Sequence, residues 1–156
     1  MKSQIILCSG GARSGKSEFA ERLALATEGR KAYVATGQAF DDEMVDRIKK
    51  HQERRGDIWT NFEVPLYLAK EWQNISQSAD VILIDCLTMF TTNHMMAHGS
   101  IQGQQDANNL EEAVLSELEA LLHLITSSDG KTVIFVTNEI GLGIVPDNKL
   151  ARYFRD

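Results

Sequence analysis

Cysteine and proline are scarce in this chain, two of each among 156 residues. With Cys8 and Cys86 both beside apolar strand-like runs, a disulfide-stapled scaffold is excluded and both are expected as reduced thiols of the core or of a site wall. Positive charge is also in deficit: 16 Lys and Arg face 22 Asp and Glu, a formal net charge of −6. That balance argues against a broad nucleic-acid-binding surface. No apolar run approaches the length of a membrane span. There is no internal repeat, low-complexity tract or linker, and Met1-Lys2-Ser3 leads at once into an apolar run, without the pattern of a secretory signal. The expected location is therefore the cytoplasm. Hydrophobic residues make up 43% of the chain, enough for one domain spanning residues 1–156 to bury a proper core.

Against this ordinary background one stretch stands out. Gly10-Gly11-Ala12-Arg13-Ser14-Gly15-Lys16-Ser17 matches G-x-x-x-x-G-K-[ST], the phosphate-binding loop. Gln4 to Ser9 before it reads as a strand, and Glu18 to Thr27 after it as a helix, with Phe19, Leu23 and Ala26 at helical spacing. Strand, glycine-rich turn and helix form the context that this motif needs. Glycines let the backbone curl and aim its N–H groups at phosphate oxygens, where the helix N-terminus adds its dipole. Lys16 is expected at the β- and γ-phosphates, and the Ser17 hydroxyl on Mg²⁺.

The rest of the chain alternates. Lys31 to Ala35 reads as a strand ending in Thr36-Gly37-Gln38. Asp41 to Arg55, acidic at its start and basic at its end, reads as a helix closed by Gly56. Ile58 to Glu63 is a short strand ended by Pro65, and Leu66 to Asn74 a helix with Trp72 as its packing residue. Val81 to Asp85 is a continuous aliphatic run closed by a carboxylate, as in a Walker B strand buried on both faces. A helix over Cys86 to Ala97, a loop over His98 to Asp106 and a helix over Asn108 to Thr126 follow. Leu110, Val114, Leu118, Leu121, Leu122 and Ile125 give that last helix one apolar face. Lys131 to Thr137 is a further strand, and the loop Ile140 to Pro146 leads to a helix from Asp147 that is still running at Asp156. This pattern predicts a three-layer α/β domain of the P-loop nucleotidase class, with a mostly parallel sheet flanked by helices.

Candidate chemistry gathers at strand ends. Asp85 is expected near the phosphate loop, because parallel strands present their carboxyl ends on one edge, and there it would complete a metal shell begun by Ser17. His51 sits on the stripe Met44, Ile48, His51, Arg55. A lone histidine on a half-apolar helical face is ordinarily a packed or solvated residue. Here Lys49, Lys50, Arg54 and Arg55 surround it with a positive field suited to a triphosphate, and a neutral imidazole can attack phosphorus to give a phosphoramidate. His94 and His98 have the i, i+4 spacing of metal ligands but no third partner, so they read as structural or substrate-facing. Met89, Met95 and Met96 read as core or subunit packing.

The motifs together resemble one family. Gly10 to Ser17, Val34-Ala35-Thr36, Asp41-Asp42-Glu43-Met44 with Arg47-Ile48 and His51, Val136-Thr137-Asn138-Glu139, Gly143-Ile144-Val145-Pro146 and Leu150 to Asp156 stand in family order. They resemble the bifunctional adenosylcobinamide kinases/adenosylcobinamide-phosphate guanylyltransferases of cobalamin biosynthesis, over essentially the whole chain. That resemblance implies a RecA-like fold, a homotrimer, ATP and GTP as substrates with Mg²⁺, and adenosylcobinamide and its phosphate as acceptors. It implies that His51 carries GMP covalently, and that Lys16 serves catalysis. It also implies that Ala35, Thr36, Gly37, Gln52, Glu53, Arg54, Arg55, Glu63 and Asp85 contact GTP beside the phosphate loop. Position 85 is Asp where some members carry Glu; either ligates Mg²⁺. Members usually continue past the Arg152-Tyr153-Phe154-Arg155-Asp156 block, so a C-terminal segment with a further strand is expected to be lacking. Without the resemblance, two other readings stand: a small-molecule kinase with a structural His51, and a nucleotide-dependent switch that orders a loop for a protein partner.

Overall fold

The structure is a computed structural model that describes residues 1–11, 13–38, 41–140 and 147–155. Five strands, β1 (Gln4–Gly10), β2 (Lys31–Ala35), β3 (Trp59–Glu63), β4 (Val81–Asp85) and β5 (Thr132–Asn138), form one sheet in the order β1-β5-β4-β2-β3. Every pairing is parallel. The helices are α1 (Lys16–Ala26), α2 (Asp42–Arg55), α3 (Leu68–Ser78), α4 (Leu87–His98), α5 (Gln104–Thr126) and α6 (Lys149–Arg155).

The central strands explain the layering. Successive strand residues point to opposite faces, so a continuous aliphatic run feeds two cores at once. Ile82, Ile84, Val133 and Phe135 join Trp72 and Ile75 of α3, Phe90 of α4 and Leu110, Val114, Leu121 and Ile125 of α5. Their neighbours Val81, Leu83, Ile134 and Val136 join Cys8, Trp59 and the small α1 residues Ala20 and Ala24 on the other face. The result is helix, sheet, helix.

Several boundaries differ from the sequence reading, for local reasons. α5 begins at Gln104 rather than Asn108, which shortens the preceding loop to residues 99–103. Its first turn, Gln104 to Ala107, carries no large apolar residue, so apolar periodicity does not reveal it. Gln104 donates to Asn108 and Gln105 to Asn109 at i, i+4 spacing, which supports that turn. α3 starts and ends later than expected, because Ile75, 1% exposed, continues the stripe of Leu68 and Trp72 past the polar Asn74. β3 starts at Trp59, since Gly56–Ile58 forms a 3-10 turn and Ile58 is exposed. α6 starts at Lys149, two residues after the expected Asp147, with Asn148 Oδ1 accepting from the Ala151 amide at 3.1 Å as a cap. Most of the loop from Ile140 to Pro146 lies outside the described residues, as do Ala12 and Asp156. β5 lies between β1 and β4, yet the parallel order still brings Asp85, at the carboxyl end of β4, to the edge of the phosphate loop.

Candidate nucleotide site

The carboxyl ends of β2 and β4, the phosphate loop and the C-terminal half of α2 enclose a cavity of about 390 Å³. The loop leaves β1 and turns with Arg13 at φ 58° and Gly15 at φ 83°, a left-handed conformation that glycine adopts without strain. α1 then starts at Lys16, so its first amides, which have no intrahelical acceptor, lie at the cavity. Lys16 Nζ rests 3.2 Å from the carbonyl of Gly11, within its own loop.

The second wall is α2. Asp41 caps it by accepting from the Met44 amide at 2.8 Å, and Glu43–Arg47 and Asp46–Lys50 ion pairs run along its surface. None of its residues is buried. Ile48, His51, Gln52, Arg54 and Arg55 line the cavity, and His51 is exposed there. Arg55 is the anchored member. Its side chain is 5% exposed, and its guanidinium lies 3.5 Å over the Tyr33 ring centroid. It donates to Asn61 Oδ1 at 3.1 Å, and Glu21 of α1 faces it at 3.9 Å and Arg54 at 3.7 Å.

The third wall carries Tyr33, Ala35, Gly37, Asp85, Cys86 and Met89. The Tyr33 hydroxyl donates to Asp85 Oδ2. Burial first, then the charge and hydrogen bond of Asp85, push the Tyr33 phenol far above its ordinary value, with Arg55 opposing, so it stays protonated and donates. Burial likewise raises the Cys86 thiol. Neither Cys8 nor Cys86 is in a disulfide.

The structure thus brings Arg13, Ser14, Gly15, Lys16, Ser17, Ala35, Gly37, His51, Gln52, Arg54, Arg55 and Asp85 around one cavity. Gly10 faces a neighbouring surface along β1. Gly11, Glu53 and Glu63 are exposed outside the lining, and Thr36 is buried, its hydroxyl bonded to the Cys86 backbone. Tyr33 and Glu21 escaped the sequence reading. A signal existed for Glu21, which follows Ser17 at i+4 and so shares its face of α1. The hydroxyl of Ser17 and the carboxylate of Asp85 are hard oxygen donors on one cavity, a set that suits Mg²⁺ held jointly with phosphate and water. His94 lies elsewhere, its Nε2 3.1 Å from the Leu66 carbonyl and its ring edge-on to Phe90. Among the described residues no group of three potential ligands surrounds it or His98.

The family described as CobU, cobinamide kinase / cobinamide phosphate guanyltransferase, matches residues 6–156. The chain belongs to this family. A bifunctional adenosylcobalamin biosynthesis protein CobU of Escherichia coli is 36% identical over 97% of this chain and 84% of its own length. The protein of that name from Salmonella typhimurium is 40% identical over the same shares. Bifunctional adenosylcobalamin biosynthesis protein CobP of Pseudomonas aeruginosa is 40% identical over 96% of this chain and 80% of its own. Among solved structures, a prototypical ATPase from the type III secretion system of pathogenic bacteria superposes with a TM-score of 0.61 at 14% identity. It covers 92% of this chain, which spans 46% of that ATPase. At that identity the likeness concerns the fold alone: a RecA-like P-loop nucleotidase, here carried by a member of the cobinamide kinase family. No helix among the described residues is long and apolar enough to cross a membrane.

Proposed function

We propose that this chain phosphorylates adenosylcobinamide and then transfers GMP from GTP to the product, with His51 as the covalent carrier. The observation that supports this most is the meeting of Lys16, Ser17, Asp85 and His51 on one cavity. In the kinase step the aminopropanol hydroxyl attacks the γ-phosphorus of ATP or GTP, the β–γ bridging bond breaks, and the nucleoside diphosphate leaves. In the guanylyl step an imidazole nitrogen of His51 attacks the α-phosphorus of GTP. A P–N bond forms, the α–β bridging bond breaks, and pyrophosphate leaves. The phosphate oxygen of adenosylcobinamide phosphate then attacks the same phosphorus, breaking the P–N bond and freeing His51 to give adenosylcobinamide-GDP. Two in-line transfers let one site serve both partners in turn.

The loop amides and Lys16 would stabilise charge developing on the departing phosphates, an electrostatic role that needs no movement at the moment of reaction. Mg²⁺ held by Ser17 and Asp85 would supply Lewis-acid neutralisation of the phosphate oxygens. Ala35, Thr36, Gly37, Gln52, Glu53, Arg54, Arg55 and Glu63 are proposed to seat the rest of the nucleotide. The resemblance further supports a homotrimer, which light scattering on the purified protein would check.

Incubation with α-labelled GTP and Mg²⁺ tests the reading. The expected product is an acid-labile, base-stable GMP adduct on the peptide containing His51, with release of pyrophosphate. His51→Ala should lose the adduct and guanylyl transfer yet keep adenosylcobinamide phosphorylation. An adduct mapped to His94, His98 or His123 would reject His51, and no adduct in the wild-type chain would reject the covalent route.

A further inference from the structure

One side chain touches two working parts of the cavity, Asp85 and Arg55, without belonging to the phosphate loop or to α2. Tyr33 stands in the middle of β2, in register with Asn61 of β3 and Leu83 of β4. Its ring edge meets Trp59 with centroids 6.1 Å apart and planes at 86°, which fixes the ring's orientation. Its hydroxyl is spent on one oxygen of Asp85. Its face carries the guanidinium of Arg55.

The second contact matters because of what α2 lacks. No residue of this helix is fully buried as a whole, and its apolar stripe is thin, with Met44 and Ile48 only half-buried. Arg55 adds an anchor at the C-terminal end, its side chain closed off from solvent between Tyr33, Asn61 and Glu21. Its Nε is buried without a hydrogen-bond partner, and the guanidinium carbon lies 3.5 Å over the Tyr33 ring centroid. His51 stands four residues before Arg55 and therefore on the same face of α2, one turn away.

We propose that Tyr33 is a positioning residue that orients Asp85 through its hydroxyl and seats the His51-bearing helix through its ring. The two halves are separable by chemistry. Phenylalanine keeps the ring and loses the hydroxyl, so Asp85 loses its orienting donor while α2 stays seated. Leucine loses both. The Asp85 half rests on the reading of that carboxylate as a Mg²⁺ ligand; the helix half rests on contacts alone.

Hydrogen exchange over residues 42–55 without nucleotide and the Mg²⁺ dependence of GTP binding, measured on the full chain, test the two halves. Tyr33→Phe should exchange like the wild type over 42–55 but need about tenfold more Mg²⁺ for half-maximal GTP binding, as expected for one lost hydrogen bond to a charged group. Tyr33→Leu should speed exchange over 42–55 about tenfold or more. Arg55→Met, which leaves the ring in place, should speed it likewise and guards against a Leu variant that does not fold. An unchanged Mg²⁺ midpoint in Tyr33→Phe overturns the Asp85 half. Wild-type exchange over 42–55 in Arg55→Met overturns the helix half. A wild-type chain that binds no GTP overturns the proposed function together with the Asp85 half, while the exchange result still decides the other.

Discussion

Thr36 and Cys86 exchange two hydrogen bonds across the ends of neighbouring strands. The Thr36 hydroxyl donates to the Cys86 carbonyl at 2.6 Å and accepts from the Cys86 amide at 2.8 Å. Asn93 adds a clasp from α4, donating to the Thr36 carbonyl at 2.6 Å and to the Pro65 carbonyl at 3.1 Å. The loops that follow β2, β3 and β4 are thereby tied together beneath Gly37 and Asp85. A threonine that lies in a sequence block shared with a nucleotide-binding family is, in this structure, a staple of the cavity floor.

Replacing Thr36 by Val should therefore act on stability. It leaves both Cys86 groups without their partner and should cost about 1–3 kcal/mol, which for a chain of this size lowers Tm by several degrees. Thr36→Ser retains the hydroxyl and should recover most of the loss. Thermal melts of the three proteins decide it; equal melting of Val and wild type would show that water replaces the staple.

Much of this site was legible because its signals are local. The phosphate loop carries its strand, turn and helix in consecutive residues, and the aliphatic runs before Asp85 and Asn138 announce doubly buried strands. Strand order was not legible, since nothing local in β5 says that it inserts between β1 and β4. The polar start of α5 hid for a related reason: side-chain hydrogen bonds, not apolar spacing, support it. Tyr33 is the clearest case. In sequence it is one aromatic residue in a short strand; its meaning comes from Arg55 and Asp85, 22 and 52 positions away by their numbers.

Lys16→Ala should separate binding from folding. The resting contact of Lys16 is an exposed one to its own loop, so stability should stay within about 0.5 kcal/mol of the wild type. Turnover should fall about 10²–10³-fold, as for removal of one preorganised charge contact. Steady-state assays beside a thermal melt measure both, and near wild-type turnover would remove Lys16 from the nucleotide site.

Asp80 makes acid stability readable at a site far from the cavity. Its carboxyl is held at about 2, below its ordinary 3.8, first by the Arg30 side chain and then by the Arg30 amide, against the opposing effect of burial. A depressed folded-state value means that stabilisation is complete above the unfolded value and is lost as pH falls through the folded one. The wild type should therefore lose stability relative to Asp80→Asn between about pH 4 and about pH 2. The carboxylate is 36% exposed, so added salt should shrink the difference. Parallel melts across that range give the answer, and two curves that keep a constant separation would refute the assignment.

β1 stands at the end of the strand order. Ile6 and Cys8 point into the core shared with α1, while Ile5 and Leu7, on the other side of the pleat, are 42% and 61% exposed. Phe19 of α1, 56% exposed, adds to the apolar surface nearby. A terminal strand with exposed aliphatic side chains is a template for pairing between chains, and a lysine on such a strand is a common guard against it. Leu7→Lys should accordingly leave the melting temperature nearly unchanged, since it removes little buried surface, while lowering concentration-dependent self-association. Static light scattering across a dilution series measures the second effect and a thermal melt the first. A variant that melts several degrees lower would mean that Leu7 is covered in the folded protein, and the edge would then have to be redrawn.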